Sequence, residues 1–449
     1  MKRQTTIRLA AIALVASMTV GTLEVGSYIL WHQRIDTARN TALYSERKHT
    51  VEQVRLNPAI PVLGFAPGTI AVSFSSEFVD RFKTSEIPAL GVALFDDGID
   101  EDRPIKSLVI GDFLGRGVGA ERLENNWVET AERNLPDVDL LNLSYVGGNV
   151  NDYIKTYERL GGRLQHRLVI LSLDSDSDFI DTARYSDWVA QFSGDEAAIQ
   201  RLLTAFNFDP GCEANLALPF RSYTASIVVE LLRQKYAWAA KNLRNFLPTC
   251  PSDGGTTPEW IPAERQAATA RSDAARRQAV SQDADMTPIV RSIALGETPT
   301  GNISVSGDGM TFRFFSHHLD VAAQADALGR YVATKINRLA ENLREKGNVL
   351  VLVVHPSKAM IYPERISPPP KMDSLRRANR ALQAALDPAV PVIDLFEPLK
   401  RAKNETSDLL FWRVDLHYSP AGYRAAGEAV AEGLRQILKR PDIALMVAE

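Results

Sequence analysis

The sequence predicts an α/β protein of three layers, in which helices cover both faces of a parallel sheet of about five strands. Short apolar runs alternate with amphipathic stretches over 107–173 and again over 322–439. Strands that alternate with helices form parallel sheets with right-handed crossovers. Between the two halves the alternation stops for more than a hundred residues. Because structureless connections of that length are rare, we expect a mostly helical insertion carried on the sheet domain.

The composition is that of a globular protein with a sizeable core. The chain has 449 residues, of which 45% are hydrophobic and 24% are charged, and its formal net charge is −4. A chain of this length and composition can bury a large core. Since it is mildly acidic and shows no basic patch, we expect no nucleic-acid partner.

Residues 1–33 have the pattern of a membrane anchor. Lys2, Arg3 and Arg8 precede an apolar stretch over 9–31. About 20 apolar residues span a bilayer, and basic flanks stay on the cytoplasmic side. The alternative is a signal peptide cleaved after Ser17. Either interpretation places the rest of the chain outside the cytoplasm.

The stalk and the first half of the sheet domain come next. Residues 34–60 are the predicted stalk, polar and helical over about 34–55, and residues 61–182 form the first half of the domain. Apolar and polar residues alternate over about 63–94, which predicts short strands ahead of the core. The core elements predicted here are strands over 107–110, 138–143 and 167–173 and helices over about 123–135 and 150–160.

The insertion covers residues 183–311 and contains both cysteines of the chain, Cys212 and Cys250. Outside the cytoplasm a pair of cysteines favours a disulfide over a catalytic or metal site. Two separately buried thiols are the alternative. Neither cysteine has the neighbouring ligands of a zinc site.

Residues 312–449 form the second half of the sheet domain. Ser419 and Pro420 are favoured at the N-cap and at the first position of a helix. The predicted elements are helices over about 322–346, 374–386 and 420–439 and strands over 348–354 and 390–395.

A candidate site follows the first core strand, where the chain reads Gly111-Asp112-Phe113 and then has three further glycines within a few residues. Ligands bind outside the carboxyl ends of strands in open α/β sheets, so the residue after Asp112 points into a site. That residue is Phe113, which has no nucleophilic atom. Gly115, Gly117 and Gly119 do not have the spacing of a dinucleotide-binding loop.

Asp415 and His417 are the sharpest candidate pair. They lie two residues apart on a loop that enters the last long helix. At this spacing the carboxylate can accept a hydrogen bond from one imidazole nitrogen, which fixes the tautomer and supports charge on the other nitrogen. The pair therefore predicts an oriented general base.

Four short blocks of this sequence resemble the SGNH/GDSL hydrolase family of esterases, lipases and sugar deacetylases. The family has Gly-Asp-Ser after its first strand, a glycine after the second, Asn-Asp after the third, and Asp-x-x-His or Asp-x-His near its C-terminus. The corresponding stretches here are 109–117, 141–147, 168–179 and 411–422. The resemblance spans about 63–438 around the insertion and implies a flavodoxin-like α/β/α fold.

Part of the family's machinery is carried over by this resemblance. His417 and Asp415 match the general base and its orienting acid, and Gly147 matches the glycine whose backbone N–H helps to form the oxyanion hole. Asp112 matches the aspartate of the first block. The resemblance therefore predicts a site that contains these residues.

Two positions depart from the family pattern. Phe113 stands where the family has its nucleophilic serine, and Ser177 stands where the family has an asparagine that donates a side-chain amide to the oxyanion. Loss of a triad nucleophile leaves only a modest rate over water. Loss of an oxyanion donor costs roughly another 2.7–4 kcal/mol.

These departures favour a catalytically impaired protein that binds a glycan or an acylated envelope polymer. One alternative is an active ester hydrolase, O-acetyl transferase or deacetylase, with Ser144 or Ser177 as a relocated nucleophile or with water activated by His417. Another is a non-catalytic scaffold whose insertion contacts envelope proteins. The N-terminal anchor, the helical insert and the Tyr-Pro-Glu segment at 362–364 also resemble membrane-anchored bacterial members. They imply a single-pass inner-membrane protein with a periplasmic main domain.

We expect neither a cofactor nor a metal. Asp174, Asp176, Asp178 and Asp181 are dense, but they lack the glycine and glutamate of a calcium-binding loop. They predict a solvated acidic loop. His355, at the end of a central strand, predicts a packing or turn role.

Overall fold

The computed structural model describes most of the sheet domain and parts of the remaining chain. The described residues are 19, 21–22, 49–51, 54–57, 60–65, 70–74, 77–83, 85–87, 92–94, 99–144, 148–175, 177–184, 277–278, 280–295, 302–307, 310–315, 324–367, 369–413 and 415–448. The predicted anchor at 9–31 falls almost wholly outside these residues, and both cysteines lie outside them. Within the described part of the chain, no helix is long and apolar enough to span a membrane.

Among the described residues, seven short strands precede the core, and they form two antiparallel sheets with the orders β1-β4-β5 and β2-β3-β7-β6. Short strands over 63–94 are thereby confirmed. The helical stalk is wrong over 49–51 and from 54 onward, where β-branched residues such as Thr50, Val51 and Val54 favour extended backbone. The strands are β1 (His49–Val51), β2 (Val54–Asn57), β3 (Ile60–Phe65), β4 (Ile70–Phe74), β5 (Val79–Lys83), β6 (Ser85–Ile87) and β7 (Val92–Leu94).

A parallel sheet of five strands forms the core, as the sequence predicts. Its members are β8 (Ile105–Gly111), β9 (Val138–Asn142), β10 (Leu168–Asp174), β13 (Val349–His355) and β14 (Val392–Asp394). A separate antiparallel hairpin, β11 (Asn302–Gly307) and β12 (Met310–Phe315), crosses the predicted end of the insertion. The sequence pattern does not predict this hairpin.

The described helices flank the sheet or connect its strands. In chain order they are α1 (Phe113–Arg116), α2 (Trp127–Arg133), α3 (Val150–Leu160), α4 (Asp178–Arg184), α5 (Pro288–Ala294), α6 (Ala325–Glu345), α7 (Lys358–Ile361), α8 (Met372–Leu375), α9 (Arg377–Ala385), α10 (Phe396–Glu405), α11 (Pro420–Leu438) and α12 (Pro441–Ala448).

The two faces of the sheet carry two separate hydrophobic clusters. Alternate side chains of a strand point to opposite faces, so Val109, Ile170 and Val351 pack with α2, α10 and α11. Leu108 and Leu171 point the other way and pack with α3, α6 and α9. This arrangement confirms the three-layer α/β/α architecture.

The strand order β14-β13-β10-β8-β9 creates a crevice between β8 and β10. From β8 the chain first adds β9 on one side and then β10 on the other, which is the flavodoxin-like order with its switch point at these two strands. Gly111 pairs with Ser172, and Asp174 pairs with His355. The register therefore brings the loops after β8, β10 and β13 to one edge.

Local signals set several boundaries correctly. α3 has the predicted bounds, and Ser419 caps α11 by accepting the Gly422 N–H at 3.3 Å. The helix predicted over 123–135 instead begins with a 3-10 turn, Leu123–Asn125, before Asn126 caps α2. The helix predicted over 374–386 is divided into α8 and α9.

Candidate functional site

The first block of the site depends on close contact between β8 and β10. A Cβ on Gly111 would come within 2.6 Å of the Ser172 Cβ and 2.8 Å of its carbonyl oxygen, so only glycine fits there. Asp112 then adopts extended backbone and Phe113 begins α1. The Phe113 side chain is placed at the carboxyl end of β8 with 8% of its surface exposed.

The glycines after α1 form a tight turn that a buried carboxylate holds in place. Gly117 and Gly119 both have φ of +91°, a backbone conformation that glycine adopts without strain. Asp80, on β5, accepts the N–H groups of Gly119 and Glu121, each at 2.8 Å. Burial raises the pKa of Asp80 to about 7. The upstream sheet is therefore tied to the first block.

The loop that carries Asp415 and His417 is closed like a hairpin. Phe411 and Tyr418 form an antiparallel bridge, and the Trp412 N–H donates to the His417 carbonyl at 3.1 Å. The Trp412 indole N–H also donates to the Gly119 carbonyl at 3.0 Å. These bonds bring the last block against the first.

Asp415 and His417 form a buried pair. The Asp415 Oδ1 accepts the His417 backbone N–H at 3.0 Å and also contacts the imidazole Nδ1. Since the carboxylate is an acceptor, Nδ1 carries the proton and Nε2 keeps its lone pair. The exposed fractions are 2% for His417 and 9% for Asp415. This is the geometry of an oriented general base.

Aromatic rings surround the imidazole of His417. The Phe113 ring lies 4.7 Å from it, centroid to centroid, at an interplanar angle of 89°. Phe78 makes a second edge contact at 6.1 Å. The structure thus brings Phe113, Asp415 and His417 together, with a phenyl ring in contact with the base.

The other predicted site residues lie differently. Gly147 is outside the described residues. Asp112 is buried, and its carboxylate accepts the Gly148 N–H at 3.3 Å. Ser177 donates its hydroxyl to the Asp174 carboxylate at 2.9 Å, so this proton is engaged within its own loop.

Two residues of the acidic stretch contradict the expectation of a solvated loop, whereas Asp181 is half-buried and Asp176 lies outside the described residues. Asp174 and Asp178 are buried. Asp178 accepts hydrogen bonds from the Tyr153 hydroxyl at 2.8 Å and the Asp174 N–H at 2.7 Å. Burial, followed by the nearby Asp112 and Asp174 charges, raises the pKa of Asp178 well above its usual value. Among the described residues, no group of three or more His, Cys, Asp or Glu side chains could hold a metal.

Two further candidates belong to the packed interior. The Ser144 hydroxyl is buried against Gly115 and has no hydrogen-bond partner in the described part of the chain. His355 lies within hydrogen-bond distance of the Ser172 hydroxyl at 2.9 Å and the Tyr418 hydroxyl at 3.3 Å. Burial lowers the pKa of His355 to about 3. The packing role expected for His355 agrees with these contacts.

Two charged residues that the sequence pattern does not predict contact the loop that carries Asp415 and His417. Glu77 lies between β4 and β5, and Lys358 begins α7; both are buried. Lys358 had a detectable signal, because it follows the carboxyl end of β13 by three residues. Glu77 had none, since it is 338 residues from Asp415.

The flavodoxin-like strand order and the oriented Asp-x-His pair agree with the fold that the sequence blocks imply. Comparison with known proteins agrees: the family described as "SGNH hydrolase-like domain, acetyltransferase AlgX" matches residues 313–444. Over these residues the chain is similar to SGNH hydrolase-like domains. The matched residues include Lys358, Asp415 and His417 but not Phe113.

One curated relative and two solved structures are similar to parts of the chain. The "Probable alginate O-acetylase AlgJ" of Pseudomonas putida KT2440 is 29% identical over 140 residues, which are 30% of this chain. The matched region covers only 35% of that relative's length.

The first structure is a lipolytic G-D-S-L protein of Veillonella parvula DSM 2008, with 12% identity, a TM-score of 0.32 and coverage of 73% of this chain and 97% of that one. The second is a carbohydrate esterase family 2 enzyme with its carbohydrate binding domain from Corynascus thermopiles (Myceliophthora fergusii). It has 11% identity, a TM-score of 0.32 and coverage of 82% and 73%.

Proposed function

We propose that this chain is a catalytically impaired SGNH-like envelope protein that binds an O-acetylated polysaccharide at the former ester-transfer site. The observation that carries the proposal is the Phe113 ring, 4.7 Å from the imidazole of His417. The polysaccharide class is supported by the similarity to a protein named as an alginate O-acetylase.

The chemistry of the site supports impairment. An imidazole oriented by Asp415 can take a proton from a hydroxyl group, but the Phe113 ring has no such proton and no nucleophilic atom. Ser177 directs its hydroxyl proton to Asp174 rather than to a developing oxyanion. Acyl transfer therefore lacks its attacking atom and one of its stabilising donors.

Substitution of Phe113 tests the proposal directly. We expect the full-length protein to release no acetate above background from an aryl acetate or from acetylated alginate. Phe113→Ser supplies a hydroxyl beside His417, and we expect at least a tenfold gain in aryl-acetate hydrolysis, on the order of 1.4 kcal/mol in the barrier. Phe113→Ala is the matched control, because it opens the same cavity without a nucleophile.

A His417→Ala change distinguishes the alternatives. It should abolish the gain of Phe113→Ser. Turnover by the unmodified protein that disappears in His417→Ala would overturn impairment and favour an active hydrolase or O-acetyl transferase. Ser144→Ala and Ser177→Ala would then identify the nucleophile.

Binding is tested separately from turnover. Calorimetric titration with acetylated and chemically deacetylated alginate oligomers should give a measurable Kd only for the acetylated form. If neither form binds, the glycan-binding part of the proposal is wrong and the scaffold alternative is favoured.

The cellular location is part of the same proposal. The basic and apolar pattern over 1–33 supports a retained anchor with the main domain in the periplasm. N-terminal sequencing of the mature protein tests this, since a start after Ser17 would contradict retention. A disulfide between Cys212 and Cys250 predicts that neither thiol is alkylated in unfolded, unreduced protein.

A further inference from the structure

One carboxylate accepts backbone N–H groups of the loop that carries the Asp415–His417 pair. Glu77 accepts the Arg413 N–H at Oε1, 2.9 Å away, and the Asp415 N–H at Oε2, 3.0 Å away. The Arg413 guanidinium Nε lies 3.6 Å from the same carboxylate. Both oxygens of Glu77 are thereby committed to this loop.

A buried ammonium group donates hydrogen bonds to the carbonyl oxygens of the same two residues, Arg413 and Asp415. Lys358 donates to the Asp415 carbonyl at 3.1 Å and also to the Arg413 carbonyl. Its Nζ lies over the rings of Phe312 and Phe314, at 5.2 and 5.4 Å from their centroids. Hydrogen bonds from a charged donor are stronger than neutral ones, and a buried, apolar environment strengthens them further.

The turn that carries Glu77 also contacts the imidazole. Phe78 packs on Trp412 with a centroid distance of 5.6 Å and meets the His417 ring edge-on. Two residues further on, Asp80 holds the turn after α1. A four-residue segment, 77–80, thus contacts both the first and the last block of the site.

We infer that Glu77 and Lys358 are positioning residues for the Asp415–His417 pair. Together they fix the N–H and C=O groups of Arg413 and Asp415, so that the Asp415 carboxylate stays within reach of the His417 Nδ1. This inference deepens the proposed function by naming what orients its base, and it holds whether or not the site turns over substrate.

The test reads the His417 ring directly in the full chain. With ¹⁵N-labelled histidine, the unmodified protein should show one locked tautomer at His417, with the proton on Nδ1, assigned by the loss of its signal in His417→Gln. Glu77→Gln keeps the shape but replaces one acceptor oxygen by a donor, and Lys358→Met removes both donated bonds. We expect the His417 signals of each variant to move toward a mixture of tautomers.

The matched controls are Asp283→Asn and Lys335→Met, which break a half-buried ion pair of 2.6 Å between the segment before α5 and α6, away from the site. They should lower Tm but leave the His417 signals unchanged. If Glu77→Gln and Lys358→Met also lower Tm without moving these signals, the contacts only stabilise the loop and the inference is wrong. If Lys358→Met does not fold, the isosteric Glu77→Gln decides alone. If Phe113→Ser gains no activity, the ¹⁵N measurement of the His417 tautomer still tests this inference.

Discussion

His355 and His417 lie close to the same edge of the sheet, yet their surroundings give them different chemistry. His355 faces Ser172 and Tyr418, two hydroxyl groups without charge, so burial alone determines its protonation. His417 instead faces the Asp415 carboxylate, which orients the ring and fixes the proton on Nδ1. Only His417 therefore has the partner that a general base requires.

The neutral state of His355 predicts a pH dependence of stability. Its pKa is about 3 in the folded protein and 6.5 in an unfolded chain, so the unfolded state binds more protons between these values. The contribution of His355 is therefore complete above pH 6.5 and is lost as the pH falls. From pH 7.5 to pH 5 this loss amounts to roughly 2 kcal/mol.

His355→Gln, which cannot titrate, should remove this dependence. We expect the variant to be less stable than the unmodified protein at pH 7.5, with the gap narrowing by about 2 kcal/mol at pH 5. Urea unfolding at the two pH values measures the gap. A gap that stays constant would show that His355 titrates alike in both states.

At the scale of elements, the join between the Asp-x-His loop and α11 depends on the absence of one side chain. Gly422 lies in the first turn of α11, and a Cβ there would collide with the backbone carbonyl of Leu410. Ser419 caps the same turn and donates its hydroxyl to the Leu409 carbonyl. Backbone on both sides leaves no rotamer change that could relieve the collision.

Gly422→Ala should therefore destabilise the protein by about 2 kcal/mol or more, as overpacking does in a rigid setting. Gly162→Ala is the matched control, because a Cβ there meets nothing within 4 Å. Denaturant midpoints measure both. Equal midpoints for the two variants would show that the loop can move away from the helix.

The same scale shows which elements the sequence could predict. The bounds of α3 follow from local signals, since Asn149 caps its start and two glycines follow its end. The break between α8 and α9 at Arg376 follows from tertiary contacts. The Arg376 guanidinium pairs with Asp394 at 2.8 Å and lies 4.1 Å from the centre of the Phe396 ring. No helical pattern contains that information.

The candidate site divides in the same way. Asp415 and His417 are two residues apart, so their pairing could be predicted from spacing alone. Glu77 reaches Asp415 from 338 residues away in the sequence, and the hairpin that places Phe312 against Lys358 lies at the end of the predicted insertion. Contacts over such separations depend on the folded topology and leave no local pattern.

At the scale of the whole molecule, the strand order places some parts of the site at the centre of the sheet and others near its edge. β10 pairs with β13 on one side and β8 on the other, and all seven of its residues are buried. β14 is a three-residue edge strand in which two residues are half-buried. The first and third blocks thus follow the centre of the sheet, whereas the Asp-x-His loop follows its edge.

Native-state hydrogen exchange should resolve these parts. We expect peptides covering β10 to exchange only through global unfolding, with protection that falls steeply with denaturant. Peptides covering β14 and the loop 411–418 should exchange through smaller openings, so that their protection falls only slightly with denaturant concentration. Because Glu77 and Lys358 hold that loop, Glu77→Gln should increase exchange at 411–418 more than at β10. Equal protection in all segments of the unmodified protein would instead mean that the domain opens as one cooperative unit, with the loop as stable as the sheet.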